Sequence, residues 1–74
     1  MQFILIKTDG YTIQHRVYSS LDDAVKEMQS QYNDAIPNEG LLPEWEDLSY
    51  IDDNNAILYA NGENVYVWKI IIVG

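Results

Sequence analysis

The densest run of carboxylates in this sequence is interleaved with aromatics: Glu44-Trp45-Glu46-Asp47-Leu48-Ser49-Tyr50, followed after Ile51 by Asp52 and Asp53. Two chemistries could be asked of it. A pair such as Glu44 and Glu46 could serve as general acid and base, which requires a deep cleft that pushes two pKa values apart. Asp52-Asp53-Asn54-Asn55 could hold calcium, but the helix–loop–helix template wants a glycine at the sixth position and a glutamate at the twelfth. Counted from Asp52, those positions are Ile57 and Glu63, with strand-forming residues between them. A solvated turn ahead of a strand is the plainer reading.

The other reactive types are sparse. His15 is the one histidine and there is no cysteine, so a thiolate nucleophile and a thiolate metal site are both out of reach. A catalytic histidine needs a nucleophile or an acidic orienter beside it. Ser19, Ser20, Ser30 and Ser49 lie in caps, on a helix or in a loop, without the strand–turn–helix setting of a nucleophile elbow. There is no glycine-rich phosphate loop and no metal-ligand spacing. The expectation is therefore a protein that is not an enzyme, with no cofactor, no metal and no catalytic residue.

Charge narrows the partners. The net charge is −8, and between Lys26 and Lys69 there is no Lys or Arg while nine of the twelve acidic residues fall there. Nucleic acid and anionic membranes both demand a basic surface, so direct binding to either is not expected. An acidic, aromatic-studded segment suits a protein with a basic surface, because aromatics anchor interfaces and charges steer the encounter. Glu44, Trp45, Glu46, Asp47, Tyr50, Asp52 and Asp53 are the candidate partner-binding residues. In the blander alternative Trp45 and Leu48 cover the sheet while the carboxylates keep the surface soluble.

These residues must be positioned by one small domain, expected to span residues 1–74. Such a chain buries only about 60–65% of the surface its unfolded form exposes. An apolar content of 47%, with two Trp and six Tyr, is that of a folded chain rather than a disordered one. The apolar run Phe3 to Ile6 is too short for a signal-peptide core or a membrane span, which points to the cytoplasm.

Residues Gln2–Thr8 and Tyr11–Tyr18 flank Asp9-Gly10, a two-residue hairpin signal that would set Ile6 opposite Ile13 and Ile4 opposite His15. Ser20 opens a helix: it can cap free amides, Asp22 and Asp23 suit the positive end of the dipole, and Leu21, Ala24, Val25, Met28 and Tyr32 form one apolar stripe. Pro37 ends it. Residues 37–54 are irregular, with a short helical turn opened by Pro43. Leu41, Leu42, Trp45, Leu48, Tyr50 and Ile51 are expected to pack that segment over the sheet face the helix leaves open, covering Phe3 and Leu5. A second hairpin follows, with strands Ala56–Ala60 and Asn64–Val73 around Asn61-Gly62. The fold class is α+β, in ββαββ order, with a four-stranded antiparallel sheet ordered 2-1-4-3 and one helix packed on one face.

The stretch Val17 to Met28, with its "LDDA", then Ser49-Tyr50-Ile51-Asp52 and the closing Trp68-Lys69-Ile70, resembles a recurring kind of small bacterial protein often encoded near mobile elements. The resemblance spans about two-thirds of the chain. It implies the hairpin–helix–hairpin fold, and no activity attaches to the group.

Two functional readings follow. The first is a non-catalytic acidic interaction domain, in its sharper form an inhibitor that mimics nucleic acid toward a basic partner. The alternative is a homodimer or assembly subunit that pairs through an edge strand or an uncovered sheet face.

Overall fold

The computed structural model describes residues 1–60 and 65–74; the expected Asn61-Gly62 turn lies outside the described residues. The elements are β1 (Gln2–Thr8), β2 (Ile13–Tyr18), α1 (Leu21–Ala35), α2 (Pro43–Leu48), β3 (Tyr50–Ile51), β4 (Asn55–Tyr59) and β5 (Val65–Val73). The five strands form one sheet in the order β2-β1-β5-β4-β3, every neighbouring pair antiparallel. The four long strands thus stand in the expected order, and the central pair, β1 and β5, run in opposite directions.

Two corrections concern the elements. The sheet has five strands rather than four, because Tyr50 and Ile51 pair with Ile57 and Ala56. The chain thereby departs from ββαββ, and α2 adds a six-residue helix with Pro43 in its first turn. The short edge is held from outside the ladder as well: Ser49 Oγ donates to Trp45 O and accepts from Tyr59 N.

The first hairpin also differs from expectation. Thr8 pairs with Ile13, Ile6 with His15 and Ile4 with Val17, so the connection has four residues and the register moves by two. Asp9 Oδ1 accepts from the amides of both Tyr11 and Thr12 at 2.9 Å. That capture holds Asp9 at negative φ and leaves Gly10 (φ 94°) as the one left-handed residue of the connection. A type I′ turn needs two. A shift of two keeps every side chain on its expected face.

Ser20 caps α1, its Oγ accepting from Asp23 N. The helix stops before Pro37, and its stripe lies on the sheet: Ala24 and Met28 are buried, with Val25 and Tyr32 half-buried beside them. They close over Leu5, Ala56, Leu58, Trp68 and Ile70. Phe3 and Leu5 consequently lie beneath α1, which corrects the expectation that residues 37–54 cover them. Trp68 is fully buried and its Nε1 donates to Gln31 Oε1 at 2.9 Å, tying the central strand to the helix. Lys7 crosses the same face, its Nζ 5.5 Å and 5.7 Å from the ring centres of Tyr66 and Trp68.

Candidate interaction surface

The acidic segment does not form one site. Glu44, Glu46 and Asp47 are exposed on α2, and Trp45 is half-buried, its ring stacked on Tyr59 at 6.4 Å and 12°. Glu46 lies at the C-terminal half of α1, where with burial it raises the Tyr32 hydroxyl above its ordinary 10.0, burial being the larger cause. Asp53 instead borders a groove with Leu21, Val25 and Lys26, in the N-terminal half of α1. Val25 and Tyr32 are seven positions apart on a helix rising about 1.5 Å per residue, so Asp53 and Glu46 stand beside points of α1 roughly 10 Å apart. Tyr50 is exposed on β3, while Asp52 is fixed by its amide to Asn55 O. Among the described residues no three His, Asp or Glu side chains converge as metal ligands.

The segment also packs less than its composition suggests. Leu41, Trp45 and Ile51 are half-buried, whereas Leu42, Leu48 and Tyr50 remain exposed. α2 lies against β4, and Leu41 joins the core beneath α1. Among the described residues the second face of the sheet is covered only at the end of β4, where Trp45 lies on Tyr59, and is otherwise left open.

That open face follows from strand alternation. Residues paired across antiparallel strands point to the same side. With Leu5, Trp68, Ile70 and Leu58 turned toward α1, the opposite side carries Ile13, His15 and Val17 from β2 and Ile4 and Ile6 from β1. β5 adds Val65, Val67, Lys69, Ile71 and Val73, and β4 adds Asn55, Ile57 and Tyr59. Val67 is 37% exposed, Ile71 41%, Val17 49% and Ile13 76%. A solvated face of an antiparallel sheet is normally polar. Here β2 is inverted. Its polar residues Gln14 and Arg16 point to the helix side, where Arg16 lies 3.8 Å from Glu27, and its aliphatic residues point away from the core.

Charge is sorted in the same direction. None of the five strands contains an Asp or Glu. The described carboxylates of this strongly acidic chain stand on helices, turns and loops, and Lys69 and His15 are the basic side chains of the open face. Both flank Ile6 in the ladder.

The sequence analysis placed partner binding on the acidic segment and expected this face to be covered. The signal for it is present in β2, where Ile13, His15 and Val17 alternate with Gln14 and Arg16. Which set faces the helix is decided by β1, whose Leu5 pairs with Arg16.

Fold and surface together define a two-layer α+β domain with one helix-covered face and one open aliphatic face. Comparison of the chain with known protein families, curated proteins and solved structures gives no match. Among the described residues no helix is long and apolar enough to cross a membrane.

Proposed function

We propose that this chain is a non-catalytic protein-interaction domain that docks through the open face of its sheet. The observation that carries the proposal is the inversion of β2: its aliphatic side chains are spent on the side away from the only core the described residues build. Contiguous exposed apolar surface of this kind marks a site of association. The absence of carboxylates from the strands supports it, since charge is depleted at the centre of interfaces.

The acidic segment supports a second, electrostatic reading, in which a basic partner is steered to α2. Leu48 and Tyr50 stand exposed there beside Glu44 and Asp47 and would serve as its apolar contacts. An inhibitor that mimics nucleic acid is the sharper form of this reading.

A paired capture experiment separates the two. The tagged protein, Ile71→Glu and the triple variant Glu44→Gln/Glu46→Gln/Asp47→Asn are compared against nuclease-treated lysate at rising salt. Loss of a partner with Ile71→Glu alone supports the open face. Loss with the triple variant alone, weakened further by salt, transfers the function to α2. Capture that survives in both variants overturns both readings.

A further inference from the structure

The occupant of the open face is a second copy of this chain: we propose a face-to-face, two-fold homodimer in which the two sheets pack through Val17, Ile4, Ile6, Val67 and Ile71. The inference rests on the reading of the open face as a docking surface and names what docks there.

Area is the first argument. Four strands, β2, β1, β5 and β4, are spaced about 4.8 Å apart and paired over six, seven and five residues, which at about 3.3 Å each present roughly 20 by 20 Å of sheet. Two such faces remove about 800 Å² in flat projection, and side-chain relief carries the total toward the roughly 1,000 Å² that a specific interface requires. The face meets that requirement at its lower end, so the dimer is reversible rather than obligate.

Electrostatics is the second. A net charge of −8 on each copy opposes self-association unless the carboxylates are kept apart. Face-to-face packing does this for the carboxylates of α1, Asp22, Asp23, Glu27 and Asp34. The sheets would lie about 10 Å apart with an α1 layer about 10 Å thick outside each, which puts the two acidic helices roughly 30 Å from each other. At physiological salt that is more than three Debye lengths of about 8 Å. Pairing through edge strand β2 would instead bring Glu27 and its neighbours on α1 toward their counterparts.

Lys69 distinguishes a second copy from a partner of other chemistry. It is the one strongly charged residue on the face, and a second copy brings no carboxylate to meet it. Its stem can lie along the aliphatic surface with the ammonium kept in water, but its charge opposes closure. A partner of different chemistry, bearing an acidic group for this position, would depend on Lys69. A second copy would be held back by it.

The test is sedimentation of the whole chain from sub-micromolar to millimolar concentration. The expected result is a concentration-dependent rise in mean mass from 8.6 kDa toward twice that value. Ile71→Glu and, separately, Val17→Glu should hold the mass at one chain while the far-ultraviolet spectrum is unchanged. Lys69→Met should tighten the dimer by about tenfold, because it removes one positive charge from each facing surface and adds apolar contact. Gln14→Pro, which blocks β2 as an edge, should leave the dimer intact. A wild-type protein that stays monomeric throughout overturns the dimer. So does a dimer that ignores both glutamate variants, or that is lost only with Gln14→Pro. A monomeric wild type whose lysate partner is still lost with Ile71→Glu overturns the homodimer and leaves the docking face standing.

Discussion

Trp68 on the central strand and Gln31 on α1 are joined by an indole-to-amide hydrogen bond of 2.9 Å across the core. The indole is fully buried, so its N–H has little access to water. Tyr32 packs on the same ring at 5.8 Å with a 54° tilt, and Tyr66 lies 6.0 Å away. At the core the helix is thus fixed to the central strand by a polar contact set among aromatic ones. Gln31→Leu preserves bulk and removes the acceptor, and an orphaned buried donor costs about 1–3 kcal/mol. Chemical denaturation should show that loss with an unchanged slope. Stability equal to the wild type would mean that the indole finds another acceptor.

Ser49 performs a comparable task for the fifth strand. Its hydroxyl donates to Trp45 O at 2.7 Å and accepts from Tyr59 N at 2.9 Å, so a single oxygen joins the end of α2 to the end of β4. Ser49→Ala removes both bonds, at about 0.5–1.5 kcal/mol each, and frees the Trp45–Tyr59 stack. Because Trp68 is buried away from this edge, the change should be read in Trp45: a red-shifted emission component and easier quenching. An emission spectrum identical to the wild type would show that the stack holds α2 without Ser49.

The elements that the sequence makes plain are those whose signals are local. Ser20 and Asp22-Asp23 mark the start of α1, Pro37 its end, and Pro43 the start of α2. The strand order is legible because the first and last strands are apolar on both faces and so must be central. Two features escape such reasoning. The two-residue turn expected at Asp9-Gly10 yields to four residues because the Asp9 carboxylate offers amides a better partner than a type I′ geometry does. The two-residue strand at Tyr50 is too short to show an alternation. The candidate site is only half legible for a related reason. Alternation in β2 shows that its aliphatic set shares a face, but the helix that defines inside and outside is placed by Leu5 and Trp68, on other strands.

The first hairpin turn should be sensitive to both of its leading residues. A Cβ at Gly10 meets nothing within 4 Å, so Gly10→Ala tests backbone conformation alone, and the left-handed φ should cost about 1–2 kcal/mol. Asp9 acts through charge. The Thr12 amide first, and the Tyr11 amide next, hold its carboxyl below the ordinary 3.8. A folded-state pKa below the unfolded one stabilises the protein above the unfolded value, and the contribution is lost as pH falls through the folded value. The stability gap between wild type and Asp9→Ala should therefore be constant near neutrality and shrink below about pH 4. A gap independent of pH would assign the turn to Gly10 rather than to the carboxylate.

At the opposite end of the pH scale the sensitive group is Tyr32. Burial against the core first, and the Glu46 carboxylate second, raise its hydroxyl above 10.0, so the folded chain holds this proton more tightly than the unfolded chain does. Below the unfolded value both states are protonated and the group is silent. As pH rises past it the unfolded chain ionises first, and stability declines until the folded pKa is reached. Tyr32→Phe should flatten that alkaline decline. Glu46→Gln should reduce it in part and bring the phenolate absorbance of Tyr32 to lower pH, because the carboxylate is the smaller of the two causes. The same variant leaves the open sheet face untouched, so its mass in solution should follow the wild type. A Glu46→Gln protein that titrates like the wild type would leave burial as the sole origin of the shift. It would also place the α2 carboxylate too far from α1 to act on it.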